Sequence, residues 1–172
     1  MTDIFAGLES DDVGPGKPDH DHHDHHDHHM AGQLTDAAAV TRFAQAGNAR
    51  LTLRSKKTGT RFTYRVRAPE DGDGSIYFVA VLTGEDNNSS YSYLGFIRRG
   101  VYFHGNRKAK VGGDAPSAKA FAWAWAAVQA GRLPELLEVW HEGRCGRCGR
   151  ALTVPESVAS GFGPECAEKI GL

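Results

Sequence analysis

The residues of this chain best suited to chemistry are its three cysteines, all near the end. Cys145 and Cys148 stand in His141-Glu-Gly-Arg-Cys145-Gly-Arg-Cys148-Gly-Arg150, and Cys166 closes Gly161-Phe-Gly-Pro-Glu-Cys166. A C-x2-C pair lets two thiolates reach one metal ion, and the glycine after each cysteine of the pair permits the tight turn of a knuckle. A spacer of 17 residues separates Cys148 from Cys166, close to the gap between cysteine pairs in zinc ribbons. Structural zinc takes four ligands in a tetrahedron. Three cysteines leave one position over, and His141, four residues before Cys145, is the expected fourth ligand. Glu142, Glu165, His104 or a water are the alternatives. The expected metal site is therefore zinc on His141, Cys145, Cys148 and Cys166, with a structural role for a segment too poor in apolar side chains to build its own core. A redox reading competes with it, because thioredoxin-like sites share the C-x2-C spacing. Those sites lie between a strand and a helix of a βαβ unit, whereas this pair follows an expected helix and is flanked by glycines.

A second constellation is basic. Arg50, Arg54, Arg61, Arg65 and Arg67 recur at alternate positions of two expected strands, with Thr52 and Thr63 between them. Arg98, Arg99, Arg107, Lys108 and Lys110 follow in turns and a loop, and Arg144, Arg147 and Arg150 recur every three residues on the knuckle. Guanidinium groups bind phosphate in a bidentate way, so such a row can track a nucleic-acid backbone. DNA or RNA is thus the expected partner of Arg54, Arg61, Arg65, Arg67, Arg107, Lys108, Lys110 and Arg147, with Tyr91, Tyr93 and Tyr102 available for base stacking if exposed. The plain alternative is a charged, solvated sheet face.

Charge is divided along the chain. Residues 1–30 carry eight acids against Lys17, a net of −7, while residues 31–172 hold 19 bases against 13 acids, a net of +6. The first segment also contains Asp21-His-His-Asp-His-His-Asp-His-His29 and reads as a disordered acidic arm, residues 1–33. Its imidazoles and carboxylates suit loose binding of zinc, nickel or copper, as a reservoir or as an incidental low-complexity tract. No apolar run reaches the ~18–20 residues of a membrane helix, and no basic-then-apolar signal pattern opens the sequence. A cytoplasmic setting is expected, which also suits metal-binding rather than disulfide-forming cysteines.

The elements that must position these groups follow from periodicity. A short helix is expected over 35–47, capped by Thr35 or Asp36 and stopped at Gly47, with Ala39, Phe43 and Ala46 on one face. Period-two patterns then predict strands at 50–54, 61–67, 76–82, 91–97 and 101–104. The continuous apolar run Ile76–Leu82 reads as a central strand covered on both faces. A helix follows from about Pro116 to Ala130, capped by Asp114, and a second short helix from Pro134 to Trp140. Helical turns are expected at 155–160 and 163–170. The fold class is α+β: an antiparallel meander of about five strands over residues 34–140, packed by a helix, with a zinc knuckle at 141–172. No P-loop, G-x-S-x-G or H-E-x-x-H pattern is present, so no enzyme and no small-molecule substrate are expected.

The tail resembles a short domain of small phage, prophage and actinobacterial or proteobacterial accessory proteins. Its pattern, H-x-G-x-C-G-x-C-G-R-x-L-T-x-P-E-S then G-x-G-P-x-C, reads here from His141 to Ser157 and from Gly161 to Cys166. Phe78-Val-Ala-Val-Leu-Thr-Gly and Tyr91-Ser-Tyr-Leu-Gly are similar to the upstream region of such proteins. The resemblance implies metal binding and a mobile-element setting, and brings no activity with it. The combined expectation is a non-enzymatic, zinc-binding accessory protein associated with nucleic acid. The alternative is a protein-binding module or inhibitor of a host factor.

Overall fold

The computed structural model describes residues 32–86 and 88–172. The acidic arm and its histidine repeat lie outside the described residues.

The architecture is α+β, built on one antiparallel sheet of seven strands in the order β1-β7-β2-β3-β4-β5-β6. The five expected strands are present as β2 (Asn48–Ser55), β3 (Arg61–Arg67), β4 (Ile76–Leu82), β5 (Tyr91–Arg98) and β6 (Val101–His104), joined as a meander. Two further strands extend it past β2. β1 is the two-residue Gln33–Leu34, and β7 is Leu137–His141. The latter corrects the helix expected at 134–140. Leu137, Val139 and His141 point inward and are buried, while Glu138 and Trp140 point out, so the segment alternates with period two. It pairs antiparallel to β2 from Leu51↔His141 to Ser55↔Leu137.

Two helices cover one face. Helix α1 (Ala37–Ala44) starts at Asp36, whose carboxylate accepts the Ala39 N–H at 2.8 Å. It buries Ala37, Val40, Phe43 and Ala44; of the expected face, Phe43 is fully buried while Ala39 and Ala46 are partly buried against the core's edge. Helix α2 (Pro116–Gln129) has Pro116 in its first turn and Ala115, not Asp114, at its cap position. It lays Phe121, Trp125 and Val128 onto Leu51, Leu53 and Val139 of the sheet. Tyr64 of β3 is fully buried between them, its ring 5.0 Å from Phe121 and its hydroxyl donating to the Ser117 carbonyl at 2.6 Å. Burial pushes the Tyr64 pKa well up, so this phenol stays a donor at any ordinary pH.

The other sheet face has no such cover. On β4 only Val79 and Val81 are buried, and Phe78 is 42% exposed, as is Phe103 of β6 at 46%. The apolar run Ile76–Leu82 therefore has one buried face, not two. Phe78 packs with its cross-strand neighbours on an open surface rather than inside a second layer.

After β7 come two short helices, α3 (Pro155–Ser160) and α4 (Pro164–Lys169), close to where the prolines place them. Cys145, Phe162 and Cys166 belong to the same buried cluster as the sheet and α1. Among the described residues no helix is long and apolar enough to cross a membrane.

Candidate metal centre

The knuckle is assembled from β7, a hairpin-like turn and the start of α4. The Arg144↔Ala151 bridge closes the turn, helped by Cys145 N–H to Arg150 O at 2.8 Å and Gly149 N–H to Cys145 O at 2.9 Å. Gly149 sits at φ +77°, the left-handed region that favours glycine and lets the chain double back after Cys148. Cys166 arrives from the first turn of α4, where Pro164 places it. The three sulfurs lie within 4.8 Å of one another, with Cys145 and Cys166 buried and Cys148 exposed. Tetrahedral zinc with Zn–S of ~2.3 Å holds its sulfurs roughly 3.8 Å apart, so only a small contraction separates this cluster from a ligand set.

The local electrostatics favour a thiolate at Cys145. Burial alone drives the Cys145 thiol pKa up. The backbone N–H groups of Cys148, Gly163 and Arg147 aimed at its sulfur outweigh that, and bring it down to about 7. Cys166 goes the other way. Its burial raises the pKa, and the sulfurs of Cys145 and Cys148 add to that, while a 3.8 Å contact from Arg147 Nη1 offsets part of it. Three sulfurs this close cannot all carry charge without a cation among them, which is the service a metal ion provides.

His141 is not part of the cluster, contrary to expectation. Its Nδ1 accepts the Gly143 N–H at 3.0 Å, which leaves Nε2 to carry the proton and meet the Val158 carbonyl at 2.6 Å. Both ring nitrogens are thereby spent inside the protein, and neither has a lone pair for a metal. The ring instead ties the turn before Cys145 to α3. Burial lowers its pKa, consistent with a neutral ring. His104 is held in the same way, with Nδ1 on the Asn106 N–H at 3.0 Å and Nε2 on the Val111 carbonyl at 2.8 Å, at the opposite edge of the sheet. Glu142 lies 4.0 Å from Arg50, and Glu165 is exposed on α4. The cluster found among the described residues is cysteine alone.

Phe43 of α1 is a site residue that the sequence did not reveal. Its fully buried ring lies 5.4 Å from His141 and 5.9 Å from Phe162. Gly146, between the two cysteines, and Gly161, before Phe162, both press against it: a Cβ on either would fall 2.7 Å from Phe43 Cδ2. Phe43 therefore keys the knuckle onto the helical layer, and Asn48 N–H to Gly146 O at 2.9 Å ties it to β2. The signal was only a lone Phe in an alanine-rich helix, and its partners are about a hundred residues further along the chain.

The basic residues divide into three places. Arg50, Arg54, Arg61, Arg65 and Arg67 do share the open sheet face, with Thr52 and Thr63 hydrogen-bonded between them at 2.8 Å. Arg54 pairs with Glu138 at 3.2 Å. Arg65 lies over the Tyr91 ring at 4.7 Å, and burial together with Arg67 and Arg50 lowers its pKa. Arg107 and Lys108 form a 3-10 turn after β6, and the Lys110 N–H bonds the Tyr93 carbonyl at 3.2 Å. Arg147 stands at the cysteine cluster. Tyr102, expected as a stacking residue, points inward instead, 4.9 Å from Phe121, and its hydroxyl is buried without a hydrogen-bond partner among the described residues.

Residues 138–171 match the model of a family of unknown function, DUF6011. The matched stretch runs from β7 through the three cysteines to the end of α4. No curated protein and no solved structure matches the chain.

Proposed function

We propose that this protein is a non-enzymatic zinc-binding accessory protein that associates with nucleic acid, its metal ordering the C-terminal segment. The observation that carries the reading is the convergence of Cys145, Cys148 and Cys166, from two separate segments, on one point, with Arg147 beside it. An all-sulfur donor set favours zinc among the common divalent ions, and the metal is structural. Cys145 and Cys166 hold it from the buried side and Cys148 from the solvent side. The remaining coordination position falls to water or to a group beyond the described residues. The arginines of β2 and β3, with Arg107, Lys108, Lys110 and Arg147, supply charge for phosphates. In this reading the protein acts in the cytoplasm as the product of a mobile element, a setting supported by the resemblance of its tail motif to those of phage and prophage accessory proteins.

The test is metal analysis of wild type purified without chelator, joined to gel retardation at low salt. About one tightly held zinc per chain and salt-sensitive retardation are expected; a metal-free protein, or none retarded, contradicts the corresponding half. A second reading, a protein-binding module or host-factor inhibitor, is favoured by the exposed Phe78, Val101 and Phe103. A stoichiometric protein partner that survives nuclease treatment would select it.

A further inference from the structure

We infer that the open face of the sheet is a platform for single-stranded nucleic acid, with unpaired bases stacked on an aromatic row and phosphates held by the arginines beside it. This inference rests on the nucleic-acid reading above and names the form of the ligand and where it lies.

The register shows the arrangement. Asn48↔Arg67, Arg67↔Phe78, Phe78↔Phe96 and Phe96↔Phe103 form one continuous row across β2, β3, β4, β5 and β6. The neighbouring row runs Arg50↔Arg65, Arg65↔Ala80 and Ala80↔Tyr93. The face thus changes from guanidinium to aromatic as it crosses the sheet. Phe78 meets Tyr93 edge-on at 6.3 Å, and Phe96 stacks on Phe103 at 5.3 Å, which holds the rings as a rigid surface. Strands lie ~4.8 Å apart, so the row from Arg67 to Phe103 spans roughly 14 Å. Sheet-borne aromatics of this extent take about two or three bases.

The basic half carries a cost that a polyanion relieves. Arg50 faces Arg65 and Arg54 faces Arg61 directly across the β2–β3 ladder, and like charges so placed destabilise a sheet. Glu138 and Glu142 answer Arg54 and Arg50, whereas Arg61, Arg65 and Arg67 make no ion pair with any described residue. Acidic side chains alone would meet this charge but would leave the exposed aromatic row uncovered. A duplex would meet it too, but keeps its base faces hidden within its own stack. A single strand offers both complements at once.

The experiment is fluorescence anisotropy of the full, metal-loaded chain with labelled oligothymidine, against a duplex of equal length, over a range of potassium chloride. Binding of the single strand at least tenfold tighter than the duplex at equal salt is expected. Phe78→Ala and Phe103→Ala, at exposed positions that leave the fold intact by circular dichroism, should each weaken the single strand about tenfold and leave the duplex unchanged. Arg67→Glu should weaken both. Equal affinity for both forms, with no loss on removing the aromatics, overturns the platform while the broader nucleic-acid reading stands. Absence of binding to either form overturns both. Sedimentation as a dimer that Phe103→Ala dissociates assigns the face to a second copy of the chain and overturns the platform as well.

Discussion

Replacing His141 separates a metal ligand from a positioning group. In His141→Ala the Gly143 N–H and the Val158 carbonyl lose partners at 3.0 and 2.6 Å, and the Phe43 ring loses a neighbour at 5.4 Å. Stranding part-buried hydrogen-bonding groups costs ~1–3 kcal/mol each, less where water enters, and the lost ring adds a cavity. We expect a destabilisation of about 2–4 kcal/mol in urea unfolding, a large share of the ~5–15 kcal/mol that holds most domains. Zinc content should stay at about one per chain. His141→Gln, which keeps a donor and an acceptor, should recover part of the stability. A variant that keeps its sheet by circular dichroism but loses its metal would refute the argument and restore His141 as a ligand. The pH dependence is a second arm. Burial holds the folded ring's pKa below the ordinary 6.5, so the unfolded chain binds the proton first as pH falls. The stability that this ring contributes is complete above about 6.5 and is lost as pH drops through its folded value. That increment should be missing from the wild type minus His141→Ala difference if the ring is already charged at neutrality.

Other expectations follow from the same geometry. Cys145→Ser, Cys148→Ser and Cys166→Ser should each abolish tight metal binding, and chelation should release amide protection over 143–166 while the sheet from β2 to β6 stays protected in hydrogen exchange. Gly161→Ala places a Cβ 2.7 Å from Phe43 Cδ2 at a φ of +81°, and should cost about 1–3 kcal/mol in thermal unfolding with the metal still bound. Reversing both Arg65 and Arg67 to Glu should lower the slope of log affinity against log salt by about 1.4 on a single strand, without altering sequence preference. Deleting residues 1–30, with their net charge of −7, should tighten nucleic-acid binding and remove loosely held metal, leaving the single tight ion.

The legible parts of this protein were those written in short-range pattern. Arg61–Arg67 alternates cleanly and is a strand with the same limits, and Asp36 and Pro116 mark helix starts where the helices begin. Cysteine spacing brought three sulfurs together correctly because a knuckle is a local structure. Long-range partners decided the rest. Leu137–His141 follows a proline and carries two leucines and two glutamates nearby, which reads as a helix. It is a strand because β2, more than eighty residues earlier, offers it a ladder. Four-residue spacing made His141 look like a ligand, but spacing carries no information about the Val158 carbonyl that claims its proton. Phe78 was legible as apolar, and only the sheet order shows that its side is left open beside the arginines.

Zinc-edge X-ray absorption on the full chain loaded with one equivalent of metal tests the central claim most directly. Three sulfur scatterers at ~2.3 Å, in a spectrum unchanged by His141→Ala, are predicted. Fewer than three sulfurs, or an imidazole signal that disappears with His141, would contradict the account.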